Sequence, residues 1–119
     1  SGGFGTKYAN PSTLPSFHGK SVSFSPSGTD IAVSYVASPY LSVYQWNSGF
    51  GSKYADPSIL PTGQVNGVAF STSGAEIAIA IRFSPYISVY DWNAGFGAKY
   101  SDPSTLPSAD GYGVTWKAP

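Results

Sequence analysis

From Asn66 onward the chain alternates. NGVAFS sets Val68 and Phe70 against small or polar neighbours, Thr72-Ser73-Gly74 supplies a turn, and EIAIAIRF follows over 76–83. Alternation of period two is the mark of a strand, and Gly-Ser-Thr clusters mark the turns between strands. In the second strand Ile77, Ile79 and Ile81 face one way and Ala78 and Ala80 the other. With no polar side, it is predicted to be covered on both faces, and its alanines permit close approach of a neighbouring sheet. Ser84-Pro85 ends it, because proline cannot donate to a ladder. A third strand runs over 86–93, with Tyr86, Ser88, Tyr90 and Trp92 on one face and Ile87, Val89 and Asp91 on the other. A short fourth strand spans Phe96 to Tyr100, and Asp102-Pro103-Ser104 opens a long connection. No stretch shows the 3.6-residue period of a helix.

This four-strand unit recurs at a fixed offset of 46 residues, as Phe4, Phe50 and Phe96 show. Lys7-Tyr8, Lys53-Tyr54 and Lys99-Tyr100 keep the same spacing, as do Leu14-Pro15, Leu60-Pro61 and Leu106-Pro107. Val22 and Phe24 return as Val68 and Phe70, then as Val114 and Trp116. Ser38-Pro39-Tyr40 returns as Ser84-Pro85-Tyr86, and Tyr44 and Trp46 return as Tyr90 and Trp92. The organisation is therefore one repeat region over 1–119: repeat 1 at 3–48, repeat 2 at 49–94 and a partial repeat 3 at 95–119. Four strands in about 40–45 residues is the spacing of a β-propeller blade. The expected fold is all-β, built of blades of four antiparallel strands.

Phe24-Ser25-Pro26-Ser27-Gly28 resembles the turn that follows the first blade strand in WD40-type propellers. Ile87 to Trp92, ISVYDW, is similar to that family's third strand, with Tyr90-Asp91 at the place of its Trp-Asp pair. The Gly-His pair of that family is absent (His18-Gly19 is reversed), and its hairpin Asp is replaced by Ser-Pro-Tyr, so its His–Asp hydrogen-bond network does not carry over. The repeated GFGxKYxxPSxLP stretch also looks like repetitive WD40-like proteins of bacteriophages and environmental bacteria. That likeness implies a role on a virion or a cell surface.

Two complete blades flanked by a leading strand (Phe4 to Tyr8) and a trailing one (Val114 to Trp116) make about ten strands. Propeller rings need about 4–8 blades, so two cannot close alone. The sequence predicts a ring completed by copies of the same chain, a homodimer of about five blade-equivalents or a homotrimer of about seven to eight. The residues expected to pack blades and copies together are Phe4, Phe24, Phe50, Phe70, Phe96, Trp46, Trp92, Trp116, Tyr44 and Tyr90.

Composition narrows the chemistry. Only 10% of residues are charged, and six basic residues balance six acidic ones without a cluster. No electrostatic attraction to nucleic acid or to an anionic membrane is expected. No apolar run reaches a membrane span, and no segment reads as a signal peptide. Cysteine is absent, which removes disulfides and leaves the compartment undecided. The strict period, the absence of Met and the Ser1-Gly2 start suggest an excised or engineered stretch. The single histidine, His18, has no second His or Cys to form a zinc site and no nucleophile elbow near it. Neither an enzyme nor a cofactor is expected. The primary reading is a self-assembling structural module. The alternative is a lectin-like propeller that binds glycan or protein through Tyr40 and Tyr86 with Ser38 and Ser84, where a tyrosine ring at a turn would stack on a sugar. Asp56 and Asp102 read as turn starters that accept backbone N–H bonds.

Overall fold

In a computed structural model, which describes residues 2–116, the chain is all-β. Eight strands form two four-stranded antiparallel sheets, and no helix occurs among the described residues. The first sheet is β1 (Gly19–Phe24), β2 (Asp30–Tyr35), β3 (Leu41–Trp46) and β4 (Phe50–Lys53), paired in chain order. The second is β5 (Val65–Phe70), β6 (Glu76–Ile81), β7 (Ile87–Trp92) and β8 (Phe96–Lys99), paired likewise.

The repeat is kept pair by pair. Phe24, Ile31 and Tyr44 stand side by side in the first sheet as Phe70, Ile77 and Tyr90 do in the second. The β1–β2 hairpin turns on Gly28, whose φ of 77° is a left-handed value that suits glycine. Its N–H donates to the Ser25 carbonyl at 2.9 Å, while the Ser25 hydroxyl accepts the Asp30 N–H at 3.1 Å. Ser71, Gly74 and Glu76 build the same turn in the second sheet. The β2–β3 and β6–β7 turns each contain a cis Ser-Pro bond followed by a tyrosine with positive φ.

Alternation gives each sheet a bulky and a slim face. In the second sheet Val68, Phe70, Ile77, Ile79, Tyr90 and Trp92 form the bulky face, and all are buried. They meet Ala32, Leu41 and Val43 on the slim face of the first sheet, in one hydrophobic core. Contacts between the sheets concentrate at β1, β2 and β5, so the sheets are closest at their first strands. The connection that follows β4 enters the space between their outer strands, where Tyr54 packs against the core.

The second, third and fourth strands of the repeat are one or two residues shorter than the alternation predicts, the first begins and ends one residue earlier than 66–71, and two predicted strands are not formed. Phe4 to Tyr8 lies in no ladder and Phe4 is fully exposed, so it packs nothing. In the repeat frame the third strand it would pair with falls ahead of residue 1. Val114 to Trp116 lies beside β5 without joining a sheet. No hairpin partner for it lies among the described residues. The last residues of the partial repeat, 117–119, lie outside the described residues.

The core sets a stability test. Ile79→Ala should lower the unfolding free energy by about 2–5 kcal/mol in urea titrations, because it leaves a cavity between two packed sheets.

Candidate functional site

The same residue types that are buried between the two sheets are uncovered at the chain's two ends. Val68 and Phe70 are 4% and 6% exposed, whereas their counterparts Val22 and Phe24 on the first sheet are 59% and 51% exposed. Val33 and Phe50 share that face, on which Ile31 and Tyr44 are buried, and a concavity of about 240 Å³ there is lined by Val22, Val33 and Phe50 on the sheet side and by Asn10, Pro11, Leu14 and Pro15 of the leading segment on the other. At the other end, Leu41 and Val43 are fully buried on the slim face of the first sheet. Their counterparts Ile87 and Val89 are only half-buried and, with Glu76, Tyr100 and Trp116, line an apolar concavity of about 380 Å³.

Aromatic rings stiffen both bulky faces. Trp92 is met edge-on by Tyr54, Phe70 and Phe96 at centroid distances of 4.8, 5.9 and 5.1 Å. Trp46 is met in the same way by Tyr8, Phe24 and Phe50 at 5.0, 5.4 and 5.1 Å. Of the residues predicted to pack, Phe70, Trp92, Tyr44 and Tyr90 are buried, and Phe96, Trp46 and Trp116 are half-buried. Phe24 and Phe50 remain exposed on the open face.

Tyr54 joins the sheets. Its ring rests on Trp92 of the second sheet, and its hydroxyl donates to Asp30 Oδ1 of the first at 2.5 Å. Burial and the Asp30 carboxylate raise its pKa from 10.0 to about 12. Tyr100 repeats the bond within the second sheet, donating to Glu76 at 3.3 Å, but its ring has no tryptophan to rest on and is 44% exposed. Tyr90 is fully buried, donates to the Ile59 carbonyl at 2.8 Å, and is raised to about 12 by desolvation. Tyr44 reaches the Thr13 carbonyl likewise, at 2.6 Å. Sequence reasoning missed these bonds, since alternation says which face a tyrosine takes and not where its hydroxyl ends.

The turn tyrosines do not stand free. Tyr40 is half-buried against the core, and Tyr86 is half-buried beside Gly111. Both have a positive φ, 72° at Tyr40 and 70° at Tyr86. Ser38 and Ser84 are exposed, and the Ser38 carbonyl accepts a bond from Ser16 Oγ at 2.9 Å. The two tyrosines sit on separate sheets and are not brought into one site. Asp56 and Asp102 do not take backbone N–H bonds as expected. Each accepts a lysine ammonium at 2.6 Å, from Lys53 and Lys99, because that flexible side chain reaches back three residues. His18 is exposed and stacks on Phe17 at 4.1 Å.

No protein-family model matches the chain, and no curated protein does. Among solved structures the fold is similar to a chain of the Kuenenia stuttgartiensis hydrazine synthase, with a TM-score of 0.58 and 16% identity over 95% of this chain. The match spans 29% of that chain, and it speaks to the fold alone.

Two predictions follow from the tyrosines. Tyr54→Phe should destabilise the protein by about 1.5–3 kcal/mol in chemical denaturation, because it strips a donor from the buried Asp30 carboxylate. Tyr100→Phe, at the exposed counterpart, should leave the denaturation midpoint unchanged. Alkali should also weaken the fold. Tyr54 and Tyr90 titrate higher folded than unfolded, so their neutral forms stabilise the native state. That contribution is intact below about pH 10 and is lost as pH rises toward about 12, which urea midpoints measured across this range will show.

Proposed function

We propose that the chain is a self-assembling β-propeller module. Each four-stranded sheet acts as a blade, and copies join head to tail into a closed ring. Such a module works as a structural and assembly element, not as an enzyme. The observation that carries this reading is the burial contrast between repeat-equivalent residues, Val22 and Phe24 against Val68 and Phe70. The chain thus holds one slim-on-bulky junction, and the other face of each sheet meets no second sheet among the described residues. A second copy is the partner whose shape and chemistry match both faces. A contact between two different surfaces closes into a ring when its rotation does, and otherwise runs on as a filament.

The WD40-like strand and turn residues support the blade reading, and so does the close approach of the two sheets at their first strands. Burial of Tyr40 and Tyr86 in part against the sheets gives the glycan-binding alternative no added support, so assembly stands first.

Light scattering on a sizing column should return an integral multiple, two or three, of the 12.4 kDa chain mass. A folded monomer at all concentrations would refute the ring. Val22→Asp supplies the complementary test. Val22 is exposed in the free chain, so the monomer should change by no more than about 1 kcal/mol. At a junction the same carboxylate would be buried without a partner, and assembly should weaken by about a hundredfold or more.

A further inference from the structure

Residues 111–116 occupy a place that the repeat assigns to a first strand. Gly111, Val114 and Trp116 stand 46 positions after Val65, Val68 and Phe70, and 92 after Gly19, Val22 and Phe24. The segment lies along the second sheet, over the slim face. The Gly111 N–H donates to the Ile81 carbonyl at 2.9 Å, Asn66 Nδ2 donates to the Gly111 carbonyl at 2.8 Å, and Trp116 Nε1 donates to the Ala69 carbonyl at 3.1 Å. The fit is close. A Cβ on Gly67 would come within 2.9 Å of the Gly113 Cα, and one on Gly111 within 2.8 Å of the Tyr86 carbonyl oxygen. Ala78 and Ala80 are 4% exposed, although no third sheet covers them.

We propose that this segment is an internal stand-in for the first strand of a second copy, and that joining requires its release. The proposal rests on the ring reading above and adds its regulation. In a junction built like the one inside the chain, the β1 strand of the incoming copy lies along β5, where residues 111–116 now lie. Two segments cannot share that place. The incoming strand is the stronger occupant, because β1 is held in a ladder with β2, whereas 111–116 belongs to no ladder. The stand-in has the advantage of being on the same chain, at an effective concentration in the millimolar range. Assembly is then slowed and weakened in proportion to the share of molecules whose segment is docked. The device shields an apolar face in the free chain and yields it only to a partner that carries a complete sheet.

The test compares three proteins by light scattering over a dilution series: the full chain, the chain ended at Asp110, and full-length Gly111→Val. The valine side chain meets the Tyr86 carbonyl oxygen and expels the segment without shortening the chain. Both variants should assemble at about tenfold lower concentration than the full chain. In the assembled full chain, residues 111–119 should be trimmed by a nonspecific protease faster than in the free chain. If the shortened chain does not fold by circular dichroism, Gly111→Val carries the test. Unchanged assembly by the variants overturns the stand-in, and weaker assembly overturns it in favour of a segment built into the ring. If none of the three forms a multimer, the ring reading itself fails.

Discussion

The structure depends on one contact, the packing of a slim face against a bulky one. A single four-stranded sheet of this sequence has apolar residues on both sides and cannot bury either alone. The junction between the sheets solves this once, with Ala32, Leu41 and Val43 set against Val68, Ile77, Ile79 and Trp92. The alternation of large and small residues decides which way round the sheets go. Two bulky faces would stand apart on their rings, and two slim faces would leave a gap. The contact is therefore directional, and a directional contact between repeated units extends in one sense.

The polar groups follow the same plan. With few charges available, the buried oxygens and nitrogens are satisfied by hydroxyls and backbone. Tyr54 binds Asp30, the Tyr35 hydroxyl pairs with Ser42 at 2.6 Å, and Tyr44 and Tyr90 tie the long connections to the third strands. Ser34 Oγ is buried without a partner, and its counterpart in the second repeat is Ala80. The second repeat thus shows that the hydroxyl is dispensable at that position of the slim face.

Much of this was legible in the sequence. Fixed offsets and strict alternation disclosed four strands per repeat, the division of Ile77 and Ile79 from Ala78 and Ala80, and the two-sided burial of β6. What alternation could not supply was the fate of the partial repeats. A strand needs a neighbour as well as a pattern, so Phe4 to Tyr8 keeps its sequence and loses its ladder. The turn tyrosines were hidden for a related reason. Tyr40 and Tyr86 are partly buried, which their place beside a proline turn does not disclose. The carboxylates of Asp56 and Asp102 go to lysines, because a reach of three residues through a flexible side chain leaves no periodic trace.

The two sheets meet most closely at their first strands and are held apart farther out by the connection carrying Tyr54. The second repeat is a wedge, thin where Gly67 admits the backbone of residues 112–114 and thick where Tyr54 and Trp92 meet edge to edge. Curvature is thus written in two places. A larger residue at the thin edge flattens the arc, and a smaller one at the thick edge tightens it. In the ring proposed above, the number of units in a full turn would be set by those few contacts.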